Sequence, residues 1–243
     1  MWSQTRRCLK TTLFNIVKDL VTGNCDPVRV GDLSLNCLLY ADDIVLLSES
    51  KSGLQSSLNI LGTYCSNWKL QVNVEKSKVL IFNSNGKIHV NELSNNNNII
   101  QTVSKYCYLG VMLKCNGNFN VAVYLLMENA RKAYFKIKKT IELNNPCKLL
   151  EKRFDSLVTP ILLYCSEVWG VYLDPGDSSI VEKFHMKFIK EILGIHCKVS
   201  NVACRAELGR LPLWTKISFS SIKFWEHLLT SENTLVYKKI SSY

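Results

Sequence analysis

The stretch CLLYADDIVLL, residues 37–47, decides the fold of the first part of this chain. Two apolar runs flank an acidic pair, and short apolar runs bounded by a turn signal predict strands. We therefore expect two buried strands that meet at a turn carrying Asp42 and Asp43. Carboxylate oxygens are the ligands that Mg²⁺ prefers, and paired ions can activate a hydroxyl and neutralise a leaving pyrophosphate. The turn is a candidate metal site and catalytic site.

The acidic pair has an ordinary interpretation as well. Asp is a common turn residue, so an isolated Asp-Asp pair is most often a plain hairpin tip. Successive side chains on a strand point to opposite faces, so Asp42 and Asp43 cannot act as equivalent ligands. A complete metal site therefore needs a further carboxylate from another strand.

The residues after the hairpin predict a helix and two more strands. Apolar residues recur at helical spacing over residues 52–67, which predicts an amphipathic helix with Trp68 in the core. Alternation over residues 70–74 and the apolar run 79–82 predict strands. Residues 83–104 contain an asparagine tract and predict turns and a mobile loop, with a domain boundary nearby.

The second half of the chain is predicted to be mainly helical after a short strand over residues 106–111. Pro160 should bend or interrupt the second helix, and Asp177 or Ser178 can cap the third, which Gly194 should end. Helical periodicity predicts four helices, over residues 123–141, 147–169, 179–193 and 212–229.

The charge balance favours a polyanionic partner. Thirty Lys and Arg residues face twenty Asp and Glu residues, a net charge of +10. The predicted helix over residues 123–141 has a basic face, which can track a phosphate backbone or simply be a solvated surface. That face consists of Arg131, Lys132, Lys136, Lys138 and Lys139.

The ten cysteines show no CxxC pair, which predicts reduced thiols in an intracellular protein. His196, Cys197 and Cys204 are a weak zinc candidate, and ordinary packing of small thiols is the better explanation of their spacing. No apolar run is long enough for a transmembrane helix.

The tetrapeptide Tyr40-Ala-Asp-Asp43 between apolar strands resembles the signature of reverse transcriptases, and residues 38–82 resemble its version in non-LTR, LINE-type retrotransposons of the jockey-like kind. The resemblance covers roughly residues 11–229. Its other landmarks are the palm-helix segment 13–20, the Tyr-Cys-x-x-Trp segment 64–68, the segment 70–78, and the later segments 160–170 and 206–212.

This resemblance implies an α+β fold. Residues 1–112 would form a partial reverse transcriptase palm, an antiparallel sheet with helices, which contains the acidic hairpin. Residues 113–243 would form a mostly helical thumb-like and connecting region.

The resemblance also implies a reaction and its participants. An intact relative adds deoxynucleoside triphosphates to a DNA primer on an RNA template, with Mg²⁺ or Mn²⁺ as the cofactor. Asp42 would be the stronger metal ligand and Asp43 its helper. Such an enzyme works inside the cell, including the nucleus, and needs no membrane.

Other residues gain roles by the same resemblance. Tyr40 would help to position the primer end, and Lys76 and Lys78 would approach the triphosphate or the primer backbone. The ordinary explanation of Tyr40 is a core aromatic residue with an exposed hydroxyl. The ordinary explanation of the two lysines is a solvent-facing turn. Tyr108-Leu109-Gly110 would form the primer-grip turn.

The resemblance implies that the fingers and the strand bearing the first catalytic aspartate lie upstream of the palm helix. The acids ahead of the hairpin, Asp19, Asp26 and Asp32, do not match that aspartate. We therefore expect the chain to be an incomplete fragment that is inactive alone. The alternatives are a non-catalytic nucleic-acid-binding remnant and a two-metal nuclease built on the same hairpin.

Overall fold

The computed structural model describes residues 26–31, 33–41, 43–85, 92–96, 98–140, 147–174 and 176–230. The chain groups into two compact units that meet in sequence between Ser104 and Lys105. The domain boundary drawn at residue 112 from the sequence stays a prediction. The palm-helix segment 13–20 lies outside the described residues.

The first unit combines one long helix with short strands. Three ladders are antiparallel, β1 with β2, β3 with β4 and β6 with β7, whereas β5 and β8 pair in parallel. The elements are β1 (Val28–Val30), β2 (Leu33–Leu35), β3 (Cys37–Tyr40), β4 (Asp43–Leu46), α1 (Lys51–Asn67), β5 (Val79–Leu80), β6 (Leu93–Asn95), β7 (Asn98–Ile100) and β8 (Thr102–Val103).

Helix α1 confirms the predicted amphipathic helix. The Ser50 side chain accepts a hydrogen bond from the Gly53 backbone amide at 3.1 Å, which caps the helix start. Leu61 and Cys65 lie on its buried face. The prediction of a core Trp68 is wrong, because this residue lies beyond the last helical turn and is 55% exposed.

Residues 70–74 do not form the predicted strand. The Asn73 side chain accepts from the Lys76 amide at 3.1 Å, and its carbonyl accepts from the Ser77 amide at 2.9 Å. These local bonds close a turn, and such side-chain bonds compete with strand pairing. Val72 still packs on the core of α1.

The mobile loop predicted for residues 83–104 is also wrong where the structure describes it. Leu93 and Ile100, on β6 and β7, are buried against α1. The Gln55 side chain satisfies both backbone groups of Ser94, accepting from its amide at 3.0 Å and donating to its carbonyl at 2.8 Å. A long-range partner on α1 therefore holds β6 in place.

The second unit is a helical bundle preceded by one antiparallel hairpin. Its core contains Phe154 and Trp169, each almost fully buried. The elements are β9 (Lys105–Tyr108), β10 (Val111–Lys114), α2 (Asn120–Thr140), α3 (Cys147–Arg153), a π-helical turn (Phe154–Val158), α4 (Thr159–Leu162), α5 (Ser166–Trp169), a 3-10 turn (Gly170–Tyr172), α6 (Ile180–Ile192), α7 (Asn201–Leu208) and α8 (Leu213–Thr230).

The predicted helices of this unit are largely confirmed. The apolar face of α2 is buried at Met127 and Ala130. The expected break near Pro160 is present as the π-helical turn, because proline lacks an amide hydrogen and crowds the preceding turn.

One detail of the predicted helices is wrong. The cap of α6 is Ser179, whose hydroxyl accepts from the Glu182 amide at 3.1 Å, and not Asp177 or Ser178. Helix α8 buries its apolar residues only in its first part, since Ile222 is 64% exposed. Gly194 does end α6, with a positive φ of 64°.

The α+β class is confirmed, with small sheets in the first unit and helices dominating the second. Within the described parts of the chain, no helix is long and apolar enough to cross a membrane.

Candidate active site

The acidic hairpin forms as the sequence predicts. Strands β3 and β4 pair antiparallel with Tyr40 opposite Asp43, so that Ala41 and Asp42 alone link the strands. Ala41 has a positive φ of 53°, as two-residue hairpin turns require. The placement of Asp42 lies outside the described residues.

The hairpin is less buried than predicted. One face packs on α1, where Cys37, Ile44 and Leu46 contact the buried cluster of Leu61 and its neighbours. The other face is open, since Leu38 is 43% exposed and Tyr40 is 61% exposed. The prediction of two buried strands is therefore wrong, because α1 covers one face only.

The chemistry of the hairpin tip suits a hard divalent cation. Asp43 begins β4 with an exposed side chain. No described residue forms an ion pair with it, so its oxygens are available to a ligand. No group of three His, Cys, Asp or Glu side chains within the described residues could hold a metal ion. A metal site at this tip would therefore need donors in addition to Asp43.

The segment that carries Lys76 and Lys78 rests on the same small core as the hairpin. Val74 and Val79, on either side of the two lysines, pack with Leu46 of β4 against α1. Lys76 is exposed and Lys78 is half-buried. The segment that carries both lysines and the β3–β4 hairpin therefore pack against the same helix, α1.

The predicted primer-grip turn is a second tight hairpin, in the second unit. Tyr108 pairs with Val111, and both turn residues have positive φ, 47° for Leu109 and 81° for Gly110. The Tyr164 hydroxyl donates to the Leu109 carbonyl at 3.0 Å. Segment 160–170, singled out by the resemblance, therefore supports this turn.

The basic face of α2 is exposed but partly paired. Arg131 forms an ion pair with Glu128 at 3.0 Å, and Lys138 pairs with Glu191 of α6. The weak zinc candidate gains no support, because Cys204 is buried within the apolar core.

A buried ionic network was missed by the sequence analysis. Arg210 donates two hydrogen bonds to Asp155, at 2.7 and 3.1 Å, and one to His185 at 3.2 Å. His185 and Glu182 are fully buried on α6, and the Nδ1 atom of His185 lies 3.4 Å from the Oε2 atom of Glu182. Their sequence signal was a polar pair at spacing three between the apolar residues of that helix.

The network fixes the protonation of its members. Because the Nε2 atom of His185 accepts from Arg210, its Nδ1 atom carries the proton and faces Glu182. Burial lowers the pKa of His185, and the nearby Arg210 and Arg205 cations lower it further against the opposing effect of Glu182. Burial alone would raise the pKa of Asp155, but the hydrogen bonds and charge of Arg210 bring it below the usual value.

Comparison with known proteins identifies relatives of the segment that contains the hairpin. Residues 9–113 match the reverse transcriptase (RNA-dependent DNA polymerase) family. An uncharacterised transposon-derived protein of Caenorhabditis elegans is 30% identical over 170 residues, which are 69% of this chain and 60% of that protein. The RNA-directed DNA polymerase from the mobile element jockey of Drosophila melanogaster is 24% identical over 239 residues, 95% of this chain.

The chain spans 60% of the worm protein and 26% of the Drosophila polymerase. No solved structure matches the chain significantly. Residues 9–113, which contain the Tyr-Ala-Asp-Asp hairpin, therefore match the reverse transcriptase family, and the chain is similar to proteins of retrotransposon origin.

Proposed function

We propose that Asp42 and Asp43 are metal ligands of an RNA-directed DNA polymerase that extends a DNA primer along an RNA template. The observation that supports this most is the tight β3–β4 hairpin, which ends in an exposed Asp43 opposite an exposed Tyr40. The relatives that match the chain include a polymerase of this class.

Each residue would contribute through its own chemistry. The carboxylates of Asp42 and Asp43 would hold Mg²⁺ or Mn²⁺, which when bound supplies Lewis acidity and neutralises phosphate charge. The exposed ring of Tyr40 would position the primer end by apolar contact. Lys76 and Lys78 would attract the triphosphate of the incoming nucleotide as point charges.

The turn Tyr108-Leu109-Gly110 would hold the primer strand. Its backbone is shaped by two residues with positive φ, and a rigid turn keeps a bound strand in register at low entropic cost.

Catalysis would need a further carboxylate from outside the hairpin, since neighbouring side chains on a strand face opposite ways. We expect that carboxylate and the fingers from the upstream part of the polymerase. The eight cysteines among the described residues are free, which fits a polymerase that works in the reducing interior of the cell.

The test is primer extension by a fusion of this chain to the upstream palm and fingers of the Drosophila polymerase. The fusion should incorporate deoxynucleotides on an RNA template in a Mg²⁺-dependent manner. Asp42→Asn or Asp43→Asn should remove incorporation, whereas Asp26→Asn, the same change at another exposed carboxylate of the first unit, should not. Incorporation that persists in the Asp42→Asn, Asp43→Asn double variant would refute the proposal.

A further inference from the structure

The turn between β9 and β10 has a backbone that its own sequence only half explains. Tyr108 pairs with Val111, so Leu109 and Gly110 alone link the strands, and both have positive φ. Two-residue turns of this kind favour Asn, Asp or Gly at the first central position and Gly at the second. Gly110 meets that preference, but the side chain of Leu109 disfavours the left-handed region. The turn therefore needs support from outside the hairpin.

Tyr164 supplies that support. Its hydroxyl donates a hydrogen bond to the carbonyl oxygen of Leu109 at 3.0 Å. Its ring lies against Gly110, where an added Cβ would be 3.1 Å from the Cε1 atom. The tyrosine is 46% exposed, so it lies at the surface of the second unit and not in the core. One side chain thus contacts both residues of the turn that have positive φ.

The position of Tyr164 is itself held by the helical core. The indole nitrogen of Trp169, which is fully buried, donates to the Tyr164 carbonyl at 2.7 Å. The next residue, Cys165, has a positive φ of 54° and directly precedes α5. Left-handed backbone at a residue other than glycine costs free energy and persists where the surroundings determine it. A second strained residue therefore lies beside Tyr164.

We propose that Tyr164 is a positioning residue for the primer, because it holds the turn Tyr108-Leu109-Gly110 in the conformation that binds the primer strand. This inference rests on the proposed polymerase function, in which that turn holds the primer. Strained backbone is concentrated at ligand-binding sites, and here two strained segments are joined by one hydrogen bond. The role acts through the turn and requires no contact between Tyr164 and the primer.

This role has a specific kinetic consequence. When the turn leaves its binding conformation for part of the time, the apparent affinity for the primer falls with the fraction of competent molecules. Once the primer is bound the turn is in place, so the chemical step keeps its rate. Tyr164→Phe should therefore raise the KM for the primer about 2- to 5-fold. The kcat and the KM for the nucleotide should stay unchanged.

A role in stability alone gives a different result. It would reduce the amount of folded enzyme, and with it the apparent kcat, while the KM for the primer stayed unchanged. The measurement uses the fusion of this chain to the upstream palm and fingers, with the primer concentration varied on an RNA template. Tyr124→Phe, at a 53% exposed tyrosine of α2, is the matched control and should keep the KM of the parent.

Leu109→Asn separates support of the turn from direct contact with the primer. Asn-Gly is a sequence that strongly favours two-residue turns with positive φ, so this turn should hold without Tyr164. In the Leu109→Asn background, Tyr164→Phe should leave the KM for the primer unchanged. A rise of full size in that background would overturn the proposal, because Tyr164 would then act by another route.

Hydrogen exchange on the chain itself tests the turn without polymerase activity. The amides of Tyr108 and Val111 should exchange faster in Tyr164→Phe than in the parent or in Tyr124→Phe, and Leu109→Asn should restore slow exchange. Exchange that stays unchanged in Tyr164→Phe, or a lower kcat at an unchanged KM for the primer, would overturn the positioning role alone. A parent fusion that incorporates no nucleotide would refute the polymerase proposal and, with it, the role in primer binding.

Discussion

The hydroxyl of Tyr164 donates a hydrogen bond to the carbonyl oxygen of Leu109 at 3.0 Å. The same ring closes over Gly110, where an added Cβ would lie 3.1 Å from it. The contact joins a segment far along the chain to a turn whose two residues both have positive φ. Such a backbone persists only where the surroundings hold it.

Tyr164→Phe should therefore lower the free energy of unfolding by about 0.5–1 kcal/mol, since it removes one partly exposed hydrogen bond and keeps the ring. Urea denaturation measures this difference. Tyr124→Phe, at a 53% exposed tyrosine, should have almost no effect. If the two variants lose the same stability, the Leu109 contact does not support the turn.

Loss of Arg210 should destabilise the second unit. Arg210→Met leaves Asp155 without its two strongest hydrogen bonds and His185 without its donor. We expect a loss of about 2–3 kcal/mol, below that of a fully buried pair, because Asp155 is partly exposed.

Arg131→Met is the control for this change, because Arg131 forms an exposed pair with Glu128. Pairs of that kind contribute about 0–1 kcal/mol. Chemical denaturation of both variants is the measurement, and equal losses would show that burial of the Arg210 network adds nothing.

Stability should depend on the pH near neutrality through His185. The pKa of this group is lowered in the folded state, so the unfolded chain binds more protons as the pH falls below about 6.5. The stabilising contribution is therefore complete above about pH 6.5 and is lost as the pH falls toward the lowered value.

Unfolding curves from about pH 8 to about pH 5 test this sign. His185→Gln should have a lower free energy of unfolding at every pH. The dependence of that free energy on pH should largely disappear between about pH 8 and about pH 5. His196→Gln, at an exposed histidine, should keep the slope of the parent. A slope of the same size in all three proteins would assign the pH dependence to other groups.

The chain of 243 residues should not extend a primer by itself. Asp42 and Asp43 need a further carboxylate, and no described residues form a group that could complete the site. Incorporation of labelled deoxynucleotide on an RNA template should equal that of the Asp42→Asn, Asp43→Asn variant. Incorporation by the parent alone would show that this chain completes its own site.

Local patterns allowed the prediction of the elements that depend on local sequence. The acidic hairpin, α1 and α2 each carry their own turn, cap or apolar face, so their positions follow from a short window. Strand β6 could not be predicted in this way. The backbone amide and carbonyl of its Ser94 form hydrogen bonds with the side chain of Gln55, which lies 39 residues earlier in the sequence.

The candidate site was predictable only in part for the same reason. The tetrapeptide Tyr40-Ala-Asp-Asp43 identified the hairpin and its turn. The exposure of the outer face of the hairpin depends on which elements pack against it. The pattern of apolar residues in the two strands does not reveal those elements. The Tyr164 support of the primer-grip turn and the Arg210 network join residues 55 positions apart, beyond the reach of helical or strand periodicity.

The most direct measurement of the central claim is the site of Mn²⁺ binding on the purified chain, read from paramagnetic broadening of backbone amide signals. We expect selective broadening around the β3–β4 hairpin, at Leu39 and Ile44, that disappears in the Asp42→Asn, Asp43→Asn variant and persists in Asp26→Asn. Broadening that is absent from the hairpin in the parent, or unchanged in the double variant, would contradict the claim that this hairpin holds the metal.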